Sequence, residues 1–260
     1  MRVLMSVLVV GTGGTGGYVI KELSRYLAAR NDGPVSVRFA ICDGDIVEKK
    51  NLDRQCFLEE DIGLKKAVIL SQAVKESFQL EISAYPDYIE EAEDIGKIFK
   101  SMESMSYGFQ KRYRILVGCV DNHRARQAME KYYKSVDDIM YADAANEVRS
   151  GEVVTSYRIE KKHFGKPRSF YFPEVSSDRG KKASEKSCSE INLSEPQHIL
   201  TNMMAGQITL SKVIGFIESG TIAPGIHHFD AFLGISSFTP YKEEAEETEE
   251  GRDKKEKKVS

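Results

Sequence analysis

Cysteine is scarce: four in 260 residues, at positions 42, 56, 119 and 188, with no two in a C-x-x-C pair. A structural zinc site therefore has no sequence support. Cys42 and Cys119 fall inside apolar strand patterns and read as small core residues, whereas Cys56 and Cys188 lie in polar surroundings. A long apolar run is missing too. Nothing approaches the roughly 20 residues that a membrane helix needs, so no membrane is expected as a partner. Neither charge dominates: 37 Lys and Arg face 40 Asp and Glu, a formal net charge of −3. No global field draws the chain to nucleic acid or to an acidic membrane surface. No internal repeat is visible, and the histidines, His227 and His228 included, form no metal-ligand spacing.

What is present is ordinary for a soluble α/β protein: 41% hydrophobic and 30% charged residues, enough chain for one domain with a sizeable core or one domain plus a small appendage. The opening "MRVLMSVLVVGTGG" has the single arginine and short apolar run of a signal peptide. The run ends in a glycine turn with no small-residue cleavage site, so it reads as a buried first strand and the cytoplasm is the expected compartment.

Strand-like and helix-like segments then alternate, which predicts a Rossmann-like α/β fold: a mainly parallel sheet with helices on both faces. The strands expected are Val3–Val10, Val35–Cys42, "LEISAYP", Tyr113–Val120 and "DIMYADAA". Helices are expected over Gly14–Ala29, in "DIGLKKAVILSQAVKESF", around Ile89–Met105 and from "DNHRARQAMEKYY". Beyond residue 150 the pattern changes. "GEVVTSYRIE" is long and β-branched, as in an antiparallel strand; residues 161–190 are polar with no clear element; "PQHILTNMMAGQITLSKVIGFIES" makes one long helix; "GIHHFDAFLGISSF" suggests a final strand pair. A stretch as long as 161–190 is usually functional or mobile. The tail 241–260 is an acidic block followed by a basic one, with too few apolar side chains to offset ordering entropy, and is expected to be disordered.

Three places carry candidate chemistry. Gly11, Gly13 and Gly16 fit G-x-G-x-x-G between a strand and a helix, with Gly14 inside the turn; such a turn brings backbone N–H groups close to phosphate. It does not separate NAD, FAD and ATP. The second strand ends in "CDGDIVEKKNLDRQCF". Asp43 stands where a carboxylate binds ribose hydroxyls in dinucleotide folds, but Asp45, Asn51, Arg54 and Gln55 follow in a compact polar segment. An arginine there suits a polyphosphate, giving bidentate hydrogen bonds and neutralising charge. Lys65 and Lys66 open the next helix, where a cation is unfavourable unless an anion is near; the alternative is a solvated pair. Asp121, at the C-terminal end of a buried strand, either holds Mg²⁺ with phosphate oxygens or caps the helix that follows.

Together these pieces resemble the ThiF/MoeB/HesA adenylyltransferase superfamily, to which ubiquitin-activating enzymes belong. The matching residues are the turn 11–16, "DGDIVEKKNLDRQ" (Asp43–Gln55), "GLKKA" (Gly63–Ala67), Asp121 and Asn122 with Arg126, and "SCSE" (Ser187–Glu190) before a long helix. They span about Val3 to Ser219, and D-x-D-x-V-x-x-x-N-L-x-R-Q is the specific one. The short length, the "SC" motif and the final strands look most like the ThiF-family proteins of plasmid-borne PRTRC clusters.

The resemblance implies a ThiF-like adenylation domain over 1–240 that uses ATP and Mg²⁺ to adenylylate the C-terminal carboxylate of a small ubiquitin-like or sulfur-carrier-like (β-grasp) protein ending in Gly, in a homodimer. It assigns Gly11, Gly13, Gly14 and Gly16 to the nucleotide, Asp43 to the ribose, Asn51, Arg54 and Lys66 to phosphates, and Asp121 to Mg²⁺, with Asp45, Gln55 and Asn122 in the same site. Cys188 aligns with a position that forms a sulfur-linked intermediate in some relatives, and is equally compatible with an unreactive loop residue. Two departures stand out. Many relatives carry an N-terminal helix whose arginine reaches the neighbouring protomer's ATP site, whereas Arg2 has no such helix, so that charge is either missing or supplied from elsewhere, with Arg124 as a candidate; and the paired cysteines that bind zinc in many relatives are missing. The competing readings are an NAD(P)- or FAD-dependent oxidoreductase and a non-catalytic ThiF-like subunit.

Overall fold

The computed structural model describes residues 2–30, 33–104, 108–180 and 197–243. Its strands are β1 (Val3–Val10), β2 (Val35–Cys42), β3 (Ser83–Tyr85), β4 (Lys111–Gly118), β5 (Ile139–Asn146), β6 (Ser150–Ile159), β7 (Lys162–Phe164), β8 (Gly225–Asp230) and β9 (Ile235–Pro240). The helices are α1 (Gly14–Ala29), α2 (Lys66–Phe78), α3 (Ala92–Glu103), α4 (His123–Ser135), α5 (Arg168–Tyr171), α6 (Glu174–Ser177) and α7 (Ile199–Ser219). Among the described residues the strands form one sheet in the order β3-β2-β1-β4-β5-β6-β8-β9, with β7 on the far end of β6.

Pairing is parallel from β3 to β5 and antiparallel from β5 to β9. The Rossmann-like parallel half and the antiparallel C-terminal continuation are both as the sequence suggests. All eight residues of β1 are buried, as a central strand covered on both faces requires. Its side chains alternate between two cores. Val7 and Val9 face Val19, Ile20 and Leu23 of α1, Leu70 and Val74 of α2, and Val213, Phe216 and Ile217 of α7. Leu8 and Val10 face Ile95 and Phe99 of α3 and Met129, Tyr132 and Tyr133 of α4. The strand order reverses direction at β1, with β2 on one side and β4 on the other, so the crevice at the C-terminal ends of β1 and β4 is where an open α/β sheet takes a ligand.

The structure differs from the sequence reading in detail. Helix α3 starts at Ala92 rather than near Ile89, because Asp94 Oδ2 accepts the Glu91 N–H (3.1 Å) and fixes the first turn there. Within 161–190, β7, α5 and α6 occupy positions the composition left without an element. β7 pairs with β6, buried Arg168 ties α5 to Asp143 and Glu152, and Gln127 holds α6 through Val175 O and Asp178 O, none of which has a periodic signature. Residues 181–190 and 244–260 lie outside the described residues. Among the described residues no helix is long and apolar enough to cross a membrane.

In the antiparallel half, His227 stacks on Phe238 (ring centroids 4.3 Å) beside Lys212, which lies 4.2 Å from the same ring. Burial, then the Lys212 and His228 charges, push His227 down from 6.5 to about 4. The unfolded chain therefore takes up a proton in that window that the folded protein refuses, so stability is present above pH 6.5 and falls as pH drops through about 4. Denaturant unfolding at about pH 7 and about pH 4.5 is expected to show a smaller acid loss in His227→Gln than in the unsubstituted protein; equal losses would contradict this.

Candidate functional site

The site grows from the junction of β1 with α1. Gly11 turns the chain at φ +90°, and a Cβ there would lie 2.4 Å from the Cys119 carbonyl oxygen; both facts demand glycine. Its N–H donates to Cys42 O of β2 (2.9 Å). The next residue, Thr12, is fully buried. Its N–H and hydroxyl both donate to Asp43 Oδ2 at 2.7 Å, while Asp43 Oδ1 accepts the Asp45 N–H at 2.8 Å. Asp43 thus latches the glycine turn onto the end of β2. Helix α1 then begins at an N-cap, Gly13, that offers no side chain, with no acid in the first turn. Its N-terminal N–H groups and positive dipole end are left for an anion.

Gly11, Gly13, Gly14, Asp43, Asp45, Asn51, Arg54, Gln55, Lys66, Asp121 and Asn122 all line one cavity of ≈ 370 Å³. At Gly13 a Cβ would meet only Gln55 Nε2, at 3.7 Å, so this glycine leaves room on the cavity side. Gly16 is a correction: it does not line the cavity, because it sits behind the turn where a Cβ would come 1.9 Å from Gly11 O. Its task is to let the turn close.

The cations are placed differently from one another. Lys66 is buried, its side chain 6% exposed, with Nζ 3.0 Å from Asp45 Oδ2; Lys65 Nζ instead donates to Gly44 O (2.5 Å). The anion that a lysine at a helix start calls for is therefore Asp45. Asp45 Oδ1 also accepts the Tyr88 hydroxyl (2.7 Å). Burial pushes Asp45 upward, but the Lys66 charge and the Tyr88 and Lys66 hydrogen bonds outweigh it, and its pKa is lowered. Asp43 is raised, by burial first and by the charge of Asp45 second. Arg54 makes no side-chain hydrogen bond or ion pair among the described residues. Gln55 Oε1 is buried without a partner, whereas Asn51 spends Oδ1 on the Glu48 N–H (2.9 Å) to close a short turn.

On the β4 side the capping reading of Asp121 fails. Asn122, not Asp121, is the N-cap of α4, its Oδ1 accepting the Ala125 N–H at 2.8 Å. Asp121 is left exposed at the cavity edge with no hydrogen bond or ion pair of its own among the described residues. Arg126 lies outside this cavity. It is buried, 3.3 Å from Asp143 Oδ1, and it donates to Val120 O (2.5 Å), so it braces the loop that carries Asp121. Asp143 is shared with Arg168 (3.3 Å) and Tyr141 (3.1 Å). Arg124 bonds Gln127 (3.0 Å) and does not line the cavity, and Arg2 lies over Phe109, at the opposite end of β1. Cys188 lies outside the described residues. Cys42 and Cys119 are pushed up to about 12, chiefly by burial, so both stay thiols. Among the described residues no three His, Cys, Asp or Glu side chains gather as a metal site.

Sequence reasoning missed Thr12, Tyr88, Asn146 and Gln197, all but Thr12 in the cavity wall. Thr12 had a signal, a hydroxyl at the start of a glycine turn with an acid at the end of the next strand. The others had none, since they reach the site from far along the chain. Asn146 Nδ2 donates to Asn202 Oδ1 of α7 (2.8 Å), Thr15 donates to the same oxygen (3.3 Å), and Gln197 donates to Asn146 O (2.9 Å).

The ThiF family model matches residues 3–250. A search of curated proteins finds no match. Among solved structures, E. coli MccB with ATP has a TM-score of 0.61 at 17% identity, over 90% of this chain and 63% of that one. E. coli MccB with AMPCPP and MccA gives 0.60 at 18% identity, with the same coverages. PaaA gives 0.59 at 15% identity, again over 90% and 63%. The chain thus spans less than two thirds of these structures, and at such identities the likeness is one of fold.

The capping geometry makes a prediction. Asn122→Ala is expected to destabilise the protein by about 1 kcal/mol, and Asp121→Asn to leave stability within about 0.5 kcal/mol. Chemical denaturation of the two variants checks this; a larger cost for Asp121 would show that it, too, supports the fold.

Proposed function

Because the chain belongs to the ThiF family, we propose that it is an adenylyltransferase that uses ATP to activate the C-terminal carboxylate of a peptide or small protein. The observation that carries this reading is the pairing of a buried lysine, Lys66, with an arginine, Arg54, that has no side-chain partner among the described residues, around an uncapped helix N-terminus at the glycine turn. Each of the three can take a phosphate oxygen. An oxidoreductase reading accounts for the turn and Asp43, and Lys66 has Asp45, but it leaves Arg54 without a task.

In the proposed reaction a carboxylate oxygen attacks the α-phosphorus of ATP. The bond from that phosphorus to the bridging oxygen breaks, and pyrophosphate leaves with the electron pair, giving an acyl-adenylate. The protein's work is positioning and charge neutralisation rather than covalent chemistry. Gly13, Gly14 and the first N–H groups of α1 would receive phosphate oxygens. Arg54 and Lys66 would neutralise the charge that grows on the leaving pyrophosphate, and Arg54 offers a bidentate fork for it. Asp43 would accept from ribose with lone pairs that the Thr12 and Asp45 N–H groups leave over. Asp121 fits one ligand place of a Mg²⁺ completed by phosphate and water oxygens, because its carboxylate is spared capping duty; that ion would add further charge neutralisation.

The finer parts of the proposal are a β-grasp partner with a C-terminal Gly, transfer of the acyl group to Cys188, a homodimer and a cytoplasmic setting. The first three follow from the family resemblance. E. coli MccB has been crystallised with MccA, and that agrees with an acceptor that is a peptide or protein.

The test is exchange of labelled pyrophosphate into ATP in the presence of candidate Gly-ended β-grasp proteins and peptides. Exchange dependent on one acceptor is expected, falling about 10²–10³-fold in Arg54→Ala. Tight nucleotide binding without exchange against every acceptor would favour a non-catalytic subunit, and NAD(P)H binding in place of ATP would favour the oxidoreductase.

A further inference from the structure

The family resemblance gives Asp45 no role of its own, and Tyr88 stands in no motif. Yet the two are joined to the buried lysine in one chain of contacts. Tyr88 reaches the site because residue 44 is glycine: a Cβ on Gly44 would stand 2.5 Å from the Tyr88 ring. With no side chain between Asp43 and Asp45, the ring lies against the backbone and its hydroxyl meets Asp45 Oδ1 at 2.7 Å. The other oxygen, Oδ2, is 3.0 Å from Lys66 Nζ.

The burial of the partners is unequal. The Lys66 side chain is 6% exposed and that of Asp45 43%. A buried ammonium without a counter-ion is costly, so with no ligand present Lys66 needs Asp45. A phosphate arriving at the glycine turn offers Lys66 a second anion. Asp45 would then be left beside Asp43, which already accepts from Thr12 twice and from the Asp45 N–H. The strong donor still facing Asp45 is the Tyr88 hydroxyl, with the Lys50 charge nearby.

We propose that Asp45 is an exchangeable counter-ion for Lys66, and that Tyr88 is the positioning residue that keeps Asp45 partnered when the lysine turns to a phosphate. The inference rests on the ATP reading above. Its consequence is that Tyr88 acts on phosphate binding only through Asp45. Its hydroxyl matters more in the ligand-bound protein than in the free one, since there it no longer shares Asp45 with Lys66.

The experiment is calorimetric titration of the full chain with Mg-ATP and, separately, with adenosine. It compares the unsubstituted protein, Tyr88→Phe, Asp45→Asn and the double variant. Tyr88→Phe is expected to weaken ATP about 5–10-fold, the worth of one hydrogen bond to a charged group, and to leave adenosine unchanged. In the Asp45→Asn background the same substitution is expected to have little effect, a coupling that a merely structural tyrosine would not give. An equal loss for adenosine, or the same loss in both backgrounds, overturns the proposal. If the unsubstituted protein binds neither ligand, the ATP reading itself fails. The counter-ion is then read from acylation of Lys66 by an amine-reactive ester, followed by mass spectrometry. Faster labelling in Asp45→Asn than in the unsubstituted protein supports the pairing, and equal rates overturn it.

Discussion

One buried carboxylate ties the site together. Asp43, at the end of β2, accepts the N–H and the hydroxyl of Thr12 in the glycine turn and the N–H of Asp45 beyond it. All three donors are neutral, so the negative charge is fixed in place but not cancelled. Burial raises its pKa in spite of them. The rest of the arrangement answers that charge. A second acid follows two residues later, one buried lysine serves both, and Arg54 faces the same cavity. Were the latch absent, the Gly11 N–H to Cys42 O bond would be the remaining hydrogen bond from the turn to β2 among the described residues.

The sheet makes the latch possible. β1 pairs in register with β2 from Val3↔Val35 to Val10↔Cys42, so the residues after the two strands, Gly11 and Asp43, leave the sheet side by side. β4 pairs on the other edge of β1 and delivers Asp121 to the same crevice. From the antiparallel half comes a second tether. Asn202 of α7 takes hydrogen bonds from Thr15 and Asn146 and presses so close to Gly14 that a Cβ would lie 2.1 Å away. The long C-terminal helix therefore closes the site from behind and does more than cover the sheet.

Much of this was legible in the sequence, for physical reasons. β1 and α1 match their expected bounds because a run that is apolar but for Ser6 stops at the glycine turn that opens the helix, and β2 because it lies between Pro34 and Asp43. The residues 43–66 converge because the family motif is local: its members sit on one loop between β2 and α2. What stayed hidden depends on contacts between distant residues. Gly16 looks like a ligand-facing glycine and instead packs under Gly11 O. Asp121 and Asn122 are neighbours with similar capping tendencies, and only the φ/ψ of the junction decides which caps. Tyr88 is one aromatic among twelve tyrosines, and nothing before the fold closes says that it meets Asp45.

The central claim is that the cavity is built for a triphosphate whose charge Lys66 and Arg54 neutralise, with Asp45 as the lysine's partner in the ligand-free protein. A crystal structure of the protein with Mg²⁺ and a non-hydrolysable ATP analogue tests it most directly. The account predicts phosphate oxygens at the Gly13–Gly14 turn, Lys66 Nζ on a phosphate and Asp45 still bonded to the Tyr88 hydroxyl. A nucleotide bound elsewhere, or a triphosphate in the cavity with Lys66 still on Asp45, would contradict it.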